Sequence, residues 1–134
     1  MGSQIDWAEI VNRAWVARES AYAPYSRFLV GAALLAESGE IFTGCNVENI
    51  SFGLTICAER AAVFAAMSAG YRHFAGIAVA AETKEPVAPC GACRQVLAEF
   101  HPELPVCAAR RDGAHKIWTL SELLPSPFGW SRER

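Results

Sequence analysis

Cys57-Ala58-Glu59 and, after a long gap, Pro89-Cys90-Gly91-Ala92-Cys93 set three thiols and a carboxylate at a spacing suited to chemistry. Three thiolates around an open fourth position hold zinc for a reaction rather than for scaffolding. Glu59 lies two residues from the first candidate ligand, where a carboxylate would handle a proton of a zinc-bound water. Cys57 falls where one helix should begin, and Cys90 and Cys93 bracket the first turn of another. Helix N-termini carry unpaired N–H groups and the positive end of the helix dipole, and both stabilise thiolates. Residues two apart point to different faces in mid-helix. At an N-terminus both can reach a metal lying off the helix end, so Cys57 as ligand and Glu59 as proton carrier are compatible.

Three thiolates and one zinc dication sum to a net negative charge, which opposes formation of a zinc-bound hydroxide. Arg60 follows Glu59 and Arg94 follows Cys93. Each would offset part of that charge by donating to a ligand sulfur; the competing reading for each is a surface arginine. Cys90-x-x-Cys93 alone also fits a thioredoxin-like redox pair or half of a zinc ribbon. A ribbon needs a second pair, which Cys45 and Cys107 do not supply, and a redox pair has no need of Cys-x-Glu upstream. Cys45 and Cys107 lie in apolar, strand-like surroundings and are expected as small buried hydrophobes. His73, His101 and His115 fall outside any ligand spacing.

The elements that would position these groups can be read from period and punctuation. Asp6-Trp7-Ala8-Glu9 opens a helix with a capping-box pattern, and helical spacing runs to about Ala21. Ala23-Pro24-Tyr25-Ser26 breaks it. Phe28 to Ala36 and Ile41 to Asn46 are two strands of a hairpin about Glu37-Ser38-Gly39-Glu40, and Val47 to Thr55 is a loop. Cys57 to Met67 is helical, with Gly70 as its stop. Phe74 to Ala81 is a buried strand, Thr83 to Pro89 a loop, and Gly91 to Phe100 a helix ended by His101-Pro102. Pro105 to Ala109 and Lys116 to Leu120 are two more strands about the Asp112-Gly113 turn, and Ser121 to Leu124 is a last helical turn. Strands interleaved with helices argue a layered α/β architecture in one domain, residues 1–134.

Composition narrows the partners. Hydrophobic residues make up 52% of 134, enough for a core without staples. A net charge of −2 gives no basic footprint for nucleic acid or an anionic membrane. No apolar run is long enough to span a bilayer. Met1-Gly2-Ser3-Gln4-Ile5-Asp6 lacks a basic stretch followed by an apolar run, and Asp6 stands where a myristoylation site has Ser or Thr. Five cysteines, an odd number, argue against a disulfide framework. A cytoplasmic chain is expected.

The spacing C-x-E then P-C-x-x-C is the all-cysteine form of the zinc nucleobase deaminase signature. Further segments accompany it: Tyr22-Ala23-Pro24-Tyr25-Ser26, Phe28-Leu29-Val30-Gly31-Ala32-Ala33-Leu34, Gly44-Cys45-Asn46-Val47-Glu48-Asn49, and Leu123-Leu124-Pro125 before Phe128-Gly129. With these the chain resembles the small, homotetrameric cytidine deaminases over nearly its whole length. The resemblance implies a mixed five-stranded sheet with helices on both faces, and one zinc per subunit on Cys57, Cys90 and Cys93. It implies Glu59 as the catalytic acid–base, Phe28 packing on the pyrimidine face, Asn46 and Glu48 on the ribose 3′-hydroxyl, and Ala58 backbone reading the base edge. Ile50, Phe52 and Phe128 would reach into neighbouring subunits' sites. Two of these depart from the family: Phe52 stands where tyrosine is common, and Ile50 where smaller residues are found. The implied reaction is hydrolysis of cytidine and 2′-deoxycytidine to the uridine nucleosides and ammonia, serving pyrimidine salvage. A free nucleoside has no phosphate to grip, in keeping with the absence of clustered cations beside the site segments other than Arg60 and Arg94. The alternatives are a blasticidin S-type deaminase, which shares the zinc motif, and a non-catalytic zinc-stabilised interaction module.

Overall fold

A computed structural model of the chain describes residues 4–129. The Met1-Gly2 start and the segment Trp130 to Arg134 lie outside the described residues. Helix α1 (Trp7–Arg18) begins where the Asp6 carboxylate accepts from Glu9 N at 3.2 Å. It stops three residues short of the expected end. Glu19, Ser20 and Ala21 close tighter turns on Val16, Ala17 and Arg18, and Tyr22 is drawn away to bond Asn46 O and Glu48 N.

Strands β1 (Val30–Ala36) and β2 (Ile41–Cys45) form the expected hairpin, turning at Gly39 with φ +104°. Phe28 and Leu29 stay out of the strand because a side chain replaces the ladder there. Asn46 Nδ2 donates to Phe28 O at 2.8 Å, and Asn46 Oδ1 accepts from Val30 N at 2.9 Å. The predicted loop after Asn46 carries one short 3-10 turn, Phe52–Leu54.

Helix α2 (Ala58–Ser68) leads to the central strand β3 (Phe74–Ala81). Helix α3 (Gly91–Phe100) then crosses to β4 (Pro105–Ala109), which turns back into β5 (His115–Thr119). A one-turn helix α4 (Leu120–Leu123) follows, capped by Thr119 and Glu122. The sheet order is β2-β1-β3-β4-β5; β3 and β4 are parallel and the other pairs antiparallel. Parallel neighbours need a crossover, and α3 supplies it.

Alternation along the strands covers both faces. Ala32, Leu34, Ile77 and Val106 pack with Ala62, Val63 and Leu97 beneath α2 and α3. Ala33, Ala78, Ala80 and Cys107 pack with Ile10 and Ala14 beneath α1. Two glycines set how closely the helices approach. A Cβ on Gly31 would lie 2.0 Å from Ala14 O, and one on Gly44 would lie 2.5 Å from Ala62 N. Cys107 is buried as expected, whereas Cys45 is only half-buried because β2 is an edge strand. All five cysteines are free. No helix among the described residues is long and apolar enough to cross a membrane.

Candidate active site

Cys57 is the N-cap of α2 and Cys90 the N-cap of α3, and neither side chain caps its own helix. Their sulfurs are free to face a shared point beside two sets of unpaired helix N–H groups. Gly44 lets the first turn of α2 rest on β2, with Ala58 O 2.6 Å from where a Cβ would stand. The sulfur atoms of Cys57, Cys90 and Cys93 all lie within 4.8 Å of one another, and those of Cys57 and Cys90 are 3.7 Å apart. A tetrahedral zinc with Zn–S of about 2.3 Å requires sulfurs about 3.8 Å apart, so the spacing fits.

The electrostatics fit as well. The pairing with Cys93, and then Arg60, pushes the Cys57 thiol down to about 5 against the effect of burial. Cys93 is pushed up by the same pairing and by its burial. Arg60 Nη2 donates to Cys57 Sγ at 3.4 Å, and the thiol pair holds its guanidinium more firmly charged. Arg60 Nε is buried with no hydrogen-bond partner among the described residues, on the guanidinium whose Nη2 meets Cys57.

Arg94 does not meet the sulfur expectation. Its Nε donates to Pro89 O at 2.7 Å and its Nη1 to Leu123 O at 2.8 Å. Both partners are backbone carbonyls that no local pattern in the sequence marks.

Glu59 is 5% exposed, in the first turn of α2. Burial pushes its carboxyl up to about 7, assisted by the Cys57 charge and opposed by a backbone N–H and Arg60. Such a group can both take and give a proton near neutral pH. It lines a cavity of about 470 Å³ together with Cys57, Cys90, Ala58, Phe28, Asn46 and Glu48. Sulfurs, a carboxyl and a polar edge, from three different segments, therefore open on one space.

Asn46 is 8% exposed, with its amide engaged by Phe28 O and Val30 N as described. Glu48 Oε1 accepts from Tyr25 N at 2.9 Å and Ser26 N at 3.1 Å, and Oε2 accepts from Ser26 Oγ. Neither spacing nor the resemblance marks Ser26 as a site residue; its local signal is a hydroxyl at the end of an Ala-Pro-Tyr-Ser turn. Gln95 on α3 brackets Phe128, donating to its O at 2.9 Å and accepting from its N at 3.1 Å.

Ile50, Phe52 and Phe128 do not line this cavity. They are 76%, 70% and 74% exposed, and Phe52 stands edge-on to Tyr25 at 5.8 Å.

A layered α/β sheet that gathers three thiols at two helix starts, beside a buried carboxyl and a nucleoside-sized cavity, has the design of a zinc-dependent nucleobase deaminase. Residues 6–109 match the family model of the cytidine and deoxycytidylate deaminase zinc-binding region, and the chain belongs to that family. It is 50% identical to a cytidine deaminase of Sporosarcina psychrophila over 92% of each chain. It is 52% identical to one of Halalkalibacterium halodurans over 92% of this chain and 95% of the relative. The crystal structure of cytidine deaminase from Burkholderia pseudomallei superposes with a TM-score of 0.89 at 51% identity, covering 93% of this chain and 100% of the other.

Proposed function

We propose that this chain, as a single deaminase domain, hydrolyses cytidine and 2′-deoxycytidine to uridine and 2′-deoxyuridine with release of ammonia. The observation that carries the reading is the buried Glu59 carboxyl opening on the same cavity as the sulfurs of Cys57 and Cys90. Cys57, Cys90 and Cys93 hold the zinc ion, and the metal when bound supplies a Lewis acid that makes water nucleophilic near neutral pH.

The rest is the work of the chain. Phe28 packs on one face of the pyrimidine, and the backbone of Ala58 reads its polar edge. Asn46 retains one N–H and one lone pair, and Glu48 one lone pair, for the ribose 3′-hydroxyl. Glu59 takes a proton from the attacking water and places it on ring N3 as oxygen bonds to C4. It then takes the remaining proton from the new C4 hydroxyl and passes it to the exocyclic nitrogen, which leaves as ammonia while C4 becomes a carbonyl. A carboxyl poised near 7 by burial suits both directions of transfer. Arg60 steadies Cys57 throughout.

The chain works in this reading as a cytoplasmic homotetramer in pyrimidine salvage. The assembly is supported by the exposure of Ile50, Phe52 and Phe128, three large apolar side chains that a neighbouring subunit's site would cover. Nucleic acid and membrane are not partners.

The test is an ultraviolet assay of cytidine deamination. Turnover should vanish when zinc is stripped and return when it is restored. A folded, zinc-loaded sample that leaves cytidine intact overturns the proposal.

A further inference from the structure

Glu48 is not free to choose its orientation. Oε1 takes the N–H groups of Tyr25 and Ser26, and Oε2 takes the Ser26 hydroxyl. A carboxylate offers about four lone-pair sites, so three are filled by one short segment and one is left. The Ser26 hydroxyl is itself aimed. Phe28 N donates to Ser26 Oγ at 3.0 Å, which leaves the O–H to point at Glu48. The result is a directed chain from the Phe28 N–H through the Ser26 O–H to the carboxylate.

The segment that carries this chain adopts a backbone it would not choose alone. Arg27, between Ser26 and Phe28, has φ 59°, in the left-handed region that a non-glycine residue takes only when its surroundings impose it. Its N–H closes the turn on Ala23 O at 2.9 Å. Ser26, Phe28 and Glu48 all line the cavity that holds Glu59. The Ser26 hydroxyl, donating to the carboxylate, also lowers the Glu48 carboxyl from its ordinary value.

From this geometry we infer that Ser26 is a positioning residue of the sugar subsite: its hydroxyl fixes the Glu48 carboxylate so that one Oε2 lone pair is presented to the nucleoside 3′-hydroxyl. The inference rests on the proposed reading of Glu48 as a ribose ligand and adds to it a residue that does not itself touch the sugar. Ser26 acts through Glu48, so its contribution must disappear when the hydroxyl that Glu48 recognises is removed from the substrate.

The experiment compares 2′-deoxycytidine with 2′,3′-dideoxycytidine, which differ by the 3′-hydroxyl alone, on the zinc-loaded enzyme. With 2′-deoxycytidine, Ser26→Ala should lower kcat/KM by about tenfold, almost all of it as a rise in KM. With 2′,3′-dideoxycytidine the same variant should lose less than about threefold. Ser26→Thr keeps a hydroxyl and should return most of the KM. In a Glu48→Gln background, Ser26→Ala should add almost nothing, since the carboxylate it orients is gone. Equal losses on both nucleosides, or full additivity with Glu48→Gln, would show a general structural role and overturn the inference alone. A parent enzyme indifferent to the 3′-hydroxyl would overturn the Glu48 reading, and the inference with it.

Discussion

Arg94 Nε donates to the carbonyl of Pro89 at 2.7 Å, so the residue that follows Cys93 clasps the residue that precedes Cys90. The same guanidinium holds Leu123 O in α4 at 2.8 Å. The Cys90–Cys93 turn is thereby closed from outside, and the C-terminal segment is tied to it. Arg94→Ala should lower zinc affinity by about 10- to 100-fold, the usual cost of losing a group that orients a metal's ligands. Competition with a chromogenic chelator measures this directly. An unchanged zinc affinity would mean that the clasp is incidental.

Glu59→Gln keeps the shape of the side chain and removes its proton traffic. Turnover of cytidine should fall by about 10²–10⁴-fold with zinc content unaltered. Retention of near-normal turnover would remove Glu59 from the mechanism. Because Glu59 is buried, melting temperature should change little or rise, as a neutral amide has less to lose by burial than a carboxylate.

Gly44→Ala would drive a methyl to 2.5 Å from Ala62 N and 2.6 Å from Ala58 O. Backbone cannot yield as a side-chain tip can, so α2 must lift from β2. A loss of about 1–3 kcal/mol is expected, the range for overpacking a tight contact. Zinc retention should fall with it, since α2 carries Cys57. Chemical denaturation and metal content on the same sample check both parts. A variant as stable as the parent, with full zinc, would contradict the close approach.

Cys107 supplies a pH dependence away from the metal. Burial pushes its thiol up to about 11 from an ordinary 9.0. The folded state therefore keeps a proton that the unfolded state releases between those values. The stability is fully present below about pH 9 and is lost as pH rises through the folded value. Denaturation midpoints at pH 8 and pH 10.5 should fall further in the parent than in Cys107→Ala. Parallel falls would show that Cys107 ionises as easily folded as unfolded.

Sharing of sites between subunits can be tested by mixing. Glu59→Ala chains carry an intact Phe128, and Phe128→Ala chains an intact Glu59. Each parent variant should be weak, and co-refolded mixtures should recover activity above the average of the two. Mixtures that never exceed that average would argue for self-contained sites.

Much of this architecture is legible in the sequence, and the gaps have physical reasons. β3, α3 and β4 have the bounds that period and punctuation predict, because Gly, Pro and apolar runs mark them locally. α1 ends early because Tyr22 is drawn to the backbone of Asn46 and Glu48, and Phe28-Leu29 leaves the strand because the Asn46 side chain reaches back 18 residues to Phe28 O and 16 to Val30 N. No window on the sequence contains those bonds. The convergence of the three sulfurs followed from two helix starts, which are local signals. The destination of the Arg94 side chain was not legible, since its partner Leu123 is 29 residues away. The same holds for Ser26 and Glu48, which are 22 residues apart.

Gly31 and Gly44 sit on paired strands, where Gly31 faces Cys45 and Ala32 faces Gly44. One seats α1 on the sheet's far side and the other seats α2 on the near side, each backbone against backbone. Only one thickness of peptide separates the two helices there, with no compressible side chain to absorb a shift. Enlarging Ala14, whose carbonyl lies against Gly31, would push on the sheet at the spot that supports the start of α2. A substitution on the face of the molecule turned away from the zinc ligands should thus register in catalysis as well as in melting, a lever whose two arms are helices and whose fulcrum is a pair of missing side chains.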